Sequence, residues 1–137
     1  MELRSYKTSD FNQVLQLLKD TNLYFEACDT RETINAKSIE DPESIVVAEA
    51  GAGLIIGCAF IVTEPWANII YHMAVDPNFQ NKGIGTALLE YGEDLIKERG
   101  RIGVSMYVMS DNVDALRLYE RKGYKAIPDV TCVYKEF

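Results

Sequence analysis

Val75-Asp76-Pro77-Asn78-Phe79-Gln80-Asn81-Lys82-Gly83-Ile84-Gly85-Thr86-Ala87-Leu88-Leu89 is the stretch whose reading decides the fold. The run from Trp66 to Val75 before it reads as a strand, and Asp76-Pro77 ends that strand because proline has no N–H to give to a ladder. From Gly83 to Arg99, Ile84, Leu88, Tyr91 and Leu95 recur on one helical face, and Gly100 stops the helix. A strand, a polar loop and a helix thus meet at two glycines set one residue apart. Glycine lets backbone approach a ligand closely, and the first turn of a helix offers N–H groups with no internal partner. Those donors, at the positive end of the helix, suit a pyrophosphate. Gln80 and Lys82 add side-chain donors to the same rim. A plain strand-to-helix turn could carry the same glycines, so the stretch alone leaves its ligand open.

Working outward from the junction, the rest of the chain falls into short alternating elements. Glu2 to Tyr6 reads as a first strand, and Thr8-Ser9-Asp10 caps a helix carrying Phe11, Val14, Leu15 and Leu18 to about Thr21. Asn22 to Asp41 is polar, with a shorter helix near Thr30 to Ser38. Ser44 to Ala50 and Leu54 to Thr63 are apolar, β-branched runs joined by Gly51-Ala52-Gly53, a hairpin signature. Downstream, Val104 to Met109 reads as a strand and Val113 to Lys122 as a helix, opened by Asp111 and Asn112 and closed by Gly123. Tyr124 to Ile127 and Thr131 to Phe137 complete the pattern as strands. The order β-α-α-β-β-β-α-β-α-β-β predicts an α/β protein, a mixed (α+β) central sheet flanked by helices, with an antiparallel meander joined to a β-α-β crossover. One domain over residues 1–137 is expected.

Composition narrows the function. Hydrophobic residues at 47% and charged residues at 26% are ordinary for a globular protein that buries its own core. No stretch approaches the ~20 apolar residues that span a bilayer, and the first residues lack a signal peptide's apolar run, so a cytoplasmic protein without a membrane partner is expected. A net charge of −7 repels phosphate backbones and argues against nucleic acid. The same charge favours cationic partners, amines included. Cys28, Cys58 and Cys132 have no C-x-x-C spacing and are expected as buried free thiols. His72 is the only histidine, so no multi-histidine metal site is expected.

Two other glycine readings fail. A P-loop needs lysine after its last glycine, but Lys82 precedes Gly83. Gly51-Ala52-Gly53 with Gly57 imitates a dinucleotide fingerprint, yet Leu54 to Val62 is strand-like and opens no helix. What the sequence does resemble is the GNAT superfamily of N-acetyltransferases. Val75-x-Pro77, Gln80-x-x-Gly83-x-Gly85 and the pair Leu88-Leu89 look like that family's acetyl-CoA signature. Asn112, Ala115, Leu118-Tyr119-Glu120-Arg121 and Gly123-Tyr124 resemble its second conserved segment. Leu3-Arg4 and Asp10-Phe11 resemble its usual start. Asn81 departs from it, standing where many members have glycine.

The resemblance implies acetyl-CoA as co-substrate, no metal, and direct attack of an amine on the thioester without a covalent enzyme intermediate. It implies that the backbone of Gln80, Asn81, Lys82, Gly83, Ile84, Gly85 and Thr86 cradles the pyrophosphate. Met73 and Val75 would pair with the pantetheine arm, where the strand ending at Val75 splays from the strand at Val104 to Met109. The Met73 N–H would face the thioester oxygen as an oxyanion donor. Tyr119 would protonate the leaving thiolate, and Asn112 and Ala115 would line the coenzyme arm. Some members carry a glutamate or histidine base in the strand before the signature. Here alternation puts Val75, Met73, Tyr71 and Ile69 on one face and His72 on the other. His72 then reads as structural, and a water relay near Tyr71 is expected to take the proton. The acceptor is a small-molecule amine or a protein or peptide amine, and Glu26, Asp29 and Glu32 in the segment Asn22 to Asp41 point to a cationic one. A homodimer is within the expectation. The competing readings are transfer of a longer acyl group, or a non-catalytic acyl-CoA-binding or partner-binding domain on the same fold.

Overall fold

The computed structural model describes residues 1–137. Residues 1–106 form one compact unit and residues 107–137 a second.

In the first unit, β1 (Glu2–Ser5), α1 (Phe11–Asp20), α2 (Arg31–Glu40), β2 (Ile45–Glu49), β3 (Ile55–Thr63), β4 (Asn68–Val75) and α3 (Ile84–Glu98) follow in order. The strands make an antiparallel sheet ordered β1-β2-β3-β4, as the meander reading expects. The hairpin between β2 and β3 closes where Ala52 and Gly53 take φ of 61° and 76°. On one face of the sheet, Phe11, Val14, Leu17 and Leu18 of α1 and Ile34 of α2 pack with Ile45, Val47, Cys58 and Phe60. Leu17, rather than Leu15, is fully buried on α1, and Leu15 packs at the edge of that cluster. Thr30 caps α2 by accepting the Thr33 N–H at 3.2 Å.

On the other face lies α3, buried through Ile84, Leu88, Leu89, Gly92, Leu95 and Ile96. Gly57 of β3 sets how closely this helix approaches. A Cβ there would stand 3.0 Å from Leu88 Cδ1, 3.1 Å from the Ala74 carbonyl oxygen and 3.1 Å from Ile84 Cγ2. Gly57→Val should therefore lower the unfolding free energy by roughly 1–3 kcal/mol, the usual cost of overpacking, read as a smaller urea midpoint at unchanged slope. An unaltered midpoint would mean that the helix stands off the sheet.

The fold class holds, but the three strands expected after α3 do not form. From Val104 to Met109 the only pairing is a parallel bridge between Ile69 and Ser105. It consists of the Ser105 N–H donating to the Asn68 carbonyl at 2.8 Å and the Ile70 N–H donating to the Ser105 carbonyl at 3.3 Å. The apolar residues around it, Ile102, Tyr107 and Met109, are exposed, so little burial offsets the cost of ordering a strand. In the second unit, α4 (Val113–Arg121) forms where expected. Tyr124 to Ile127 and Thr131 to Phe137 are not strands. A strand exists by its ladder, and the backbone bonds here, from the Tyr124 N–H to the Tyr119 carbonyl at 3.0 Å and from the Val130 N–H to the Ile127 carbonyl at 3.4 Å, close local turns instead.

Cys58 is a buried thiol as expected, but Cys28, in the turn before α2, and Cys132 are exposed. No helix is long and apolar enough to cross a membrane.

Candidate active site

Near its end β4 breaks its alternation. Phe60 pairs with Tyr71 and Cys58 with Ala74, so His72 and Met73 stand together opposite Ala59 in a β-bulge. His72 takes φ of 47°, uncommon for a residue with a Cβ and costing on the order of 1 kcal/mol or more. The bulge corrects the face assignment made from alternation. The His72 ring lies on the same side as Tyr71, with centroids 5.2 Å apart, and both rings sit edge-on to Phe60 at 5.1 Å and 5.6 Å. Past the bulge the parity is reversed, so Ala74 joins Tyr71 in the α1–α2 cluster, while Val75 faces Gly85 of α3.

His72 is also not alone. Its Nε2 lies 2.9 Å from Oδ1 of Asp29, a carboxylate only 6% exposed in the turn before α2. The other oxygen, Oδ2, accepts the Phe25 N–H at 2.7 Å. Of the three acidic residues expected to wall an acceptor site, Glu26 and Glu32 are exposed, while Asp29 is buried and engaged. Burial, and after it the charge of Asp29, pushes the Tyr71 phenol up to about 12, so it holds its proton throughout the neutral range.

The glycine loop is built as its sequence suggests. After β4, Pro77–Phe79 make one 3-10 turn, capped by Asp76, whose Oδ1 accepts the Asn78 N–H at 2.8 Å. The Gln80 amide donates back to the Val75 carbonyl at 3.2 Å, tying the loop to the strand end. Asn81 and Gly83 adopt φ of 62° and 82°. An asparagine tolerates the left-handed region, which explains how it replaces the glycine of many relatives. Lys82 Nζ stands 5.3 Å from the Phe79 ring centroid. The first backbone bond of α3 runs from Ala87 to Gly83 at 3.0 Å, and Gly83 has no side chain with which to cap. The N–H groups of Ile84, Gly85 and Thr86 therefore precede the helical ladder. A Cβ on Gly83 would meet no atom within 4 Å, so the protein leaves the space beside Gly83 itself unfilled. An anionic diphosphate fits this donor set.

The remaining candidates lie in the second unit. Asn112 caps α4 by accepting the Ala115 N–H at 3.3 Å, so its side chain is a helix cap in this structure. Tyr119 is half-buried on α4, with its ring centroid 5.8 Å from that of Tyr124. Burial raises its phenol above the usual tyrosine range.

A family model described as the acetyltransferase (GNAT) domain matches residues 41–126, well over half of the chain. The chain belongs to the GNAT acetyltransferases. An acetyltransferase of Yersinia enterocolitica is 30% identical to this GNAT chain over 125 residues, 91% of it and 88% of the relative. The mycothiol acetyltransferase of Clavibacter sepedonicus is 36% identical over 85 residues, 62% of this chain, which spans only 28% of that relative's length. Among solved structures, Ard1 from Thermoplasma volcanium superposes with a TM-score of 0.77 at 26% identity, covering 89% of this chain and 80% of its own. The PaiA N-acetyltransferase of Thermoplasma acidophilum, in complex with coenzyme A, gives a TM-score of 0.79 at 18% identity, covering 90% and 89%, and shows the fold alone. The GNAT chain is accordingly an N-acetyltransferase enzyme.

Sequence reasoning missed the Asp29–His72 pair. The two residues are 43 apart, and the bulge that turns the ring carries no glycine to announce it.

Proposed function

We propose that this enzyme, acting as a single domain, transfers the acetyl group of acetyl-CoA to a primary amine by direct attack on the thioester. The observation that carries the proposal is the open, glycine-started N-terminus of α3, whose three unladdered N–H groups stand beside the bulged end of β4. Gln80, Asn81, Lys82, Gly83, Ile84, Gly85 and Thr86 hold the pyrophosphate through backbone donors and the helix end. Met73 and Val75 receive the pantetheine arm, and the family resemblance assigns Asn112, Ala115 and Tyr119 to the coenzyme. The Met73 N–H, at the bulge, stabilises charge on the thioester oxygen. Tyr119 gives its proton to the departing thiolate, and its raised phenol keeps that proton available at neutral pH. Tyr71 orders water near the reacting amine.

The test is a panel of amines and peptides incubated with acetyl-CoA, reading free thiol. Amine-dependent thiol release is expected. Binding of coenzyme A with no thiol release from any amine would instead indicate a non-catalytic acyl-CoA-binding domain. Glu26 and Glu32, exposed beside the buried Asp29, favour a cationic acceptor, so diamines and lysine-bearing peptides should outrank neutral arylamines of similar size. A best acceptor that is neutral or anionic would remove this part of the proposal.

A further inference from the structure

We infer that His72 is the proton acceptor for the incoming ammonium, through Nδ1, and that Asp29 is the positioning residue that keeps Nδ1 unprotonated. This rests on the acetyl-transfer reading above and deepens it.

Asp29 already accepts one backbone N–H, from Phe25 to Oδ2 at 2.7 Å, and its second oxygen faces His72 Nε2 at 2.9 Å. A carboxylate can only accept, so Nε2 must carry the hydrogen. In the neutral imidazole the lone pair is then on Nδ1. Asp29 is the only hydrogen-bond partner the ring has, which leaves Nδ1 without one in the protein. The ring is partly open to solvent, at 17% side-chain exposure, on the residue immediately before Met73. The oxyanion donor and the proton acceptor would thus be neighbours on one bulge. A buried carboxylate, a left-handed histidine and a broken register meet at this one ring.

The step balances. An ammonium N–H bond breaks, its electron pair stays on nitrogen, and the proton joins Nδ1. The amine attacks the thioester carbon, the C–S bond breaks, and the departing sulfur takes the Tyr119 proton. The second proton of the attacking nitrogen passes through water to restore Tyr119, and the imidazolium, its charge facing Asp29, returns the first proton to water. Tyr71, against the ring, and Cys58, whose thiol donates to the His72 carbonyl at 3.5 Å, are both pushed up to about 12 by burial and stay neutral, so Asp29 supplies the charge. Lys37, with Nζ 5.6 Å from the Tyr71 ring centroid, donates instead to the Ile61 carbonyl at 2.6 Å.

Because the chain has a single histidine, nitrogen NMR of the ring gives one unambiguous signal pair. At alkaline pH the wild type should show Nε2 protonated and Nδ1 bare. Asp29→Asn has one acceptor for two N–H donors. If its oxygen keeps Phe25, its amide donates to Nε2 and drives the proton to Nδ1, so the NMR pattern should invert. Turnover should fall, because Nδ1 then carries the hydrogen and offers the ammonium no lone pair. His72→Asn tolerates the left-handed backbone and has no basic nitrogen. It should lose turnover by roughly 10²–10⁴-fold and lose the acid limb, with acetyl-CoA affinity by calorimetry unchanged. A wild-type ring protonated on Nδ1 would overturn the inference without any variant having to fold. Full turnover and an intact acid limb in His72→Asn would overturn it while leaving the acetyl-transfer reading standing. A wild type that releases no thiol with any amine would end both.

Discussion

A side chain at Gly83 should cost most of the affinity for acetyl-CoA. The Ile84, Gly85 and Thr86 N–H groups precede the ladder of α3, and a Cβ at Gly83 would project where no protein atom comes within 4 Å. A pyrophosphate held there by hydrogen bonds to charged oxygens gains about 1.5–3 kcal/mol from each good donor. Loss of even one contact should weaken binding by roughly ten- to a hundredfold, at 1.4 kcal/mol per decade. The choice of variant matters because Gly83 sits at φ of 82°. Valine would add backbone strain of about 1–2 kcal/mol to the steric block, whereas asparagine enters the left-handed region readily. Gly83→Asn should therefore unfold close to the wild-type temperature without ligand and show little of the stabilisation that acetyl-CoA gives the wild type. Gly83→Val should lose both stability and affinity. If calorimetry on folded Gly83→Asn returned the wild-type constant, the pyrophosphate would have to be placed elsewhere.

Much of this site was readable in the chain because its parts are local. A strand ended by Asp76-Pro77, a loop and a helix opened by Gly83 are each written in neighbouring residues, and α3 begins where Gly83 allows. The same holds for the Thr30 and Asn112 caps and the Gly51 to Gly53 turn. What failed depended on partners far away in sequence. The bulge at His72 arises from the way β3 and β4 register, and period-two reasoning carried across it inverts every residue beyond. Asp29, read as one acid in a solvated segment, is buried because the turn before α2 folds its carboxylate onto Phe25 and His72. The apolar runs after residue 103 have strand composition. Composition supplies half a strand and the ladder supplies the rest, and Ser105 alone finds a partner.

Tyr119→Phe separates chemistry from binding. The variant keeps the ring and its 5.8 Å packing on Tyr124 and removes only the hydroxyl, so the unfolding midpoint and acetyl-CoA affinity should barely change. The hydroxyl matters when the thiolate departs, a stage at which a positioned acid contributes roughly 10²–10⁴ in rate. Turnover should fall by that factor, and kcat/KM with it, because the interaction is made only in the transition state. Burial, which raises the Tyr119 phenol, fixes the pH behaviour. The proton it donates is present throughout the neutral range, so the wild type should show no loss of activity between neutral pH and the tyrosine range on this account. A rise in KM with turnover intact would make Tyr119 a binding residue. Equal turnover in the two proteins is decided by rapid mixing, since slow product release can hide a slower chemical step. A normal first-turnover rate of thiol release in Tyr119→Phe would remove the residue from the mechanism and leave water to protonate the thiolate.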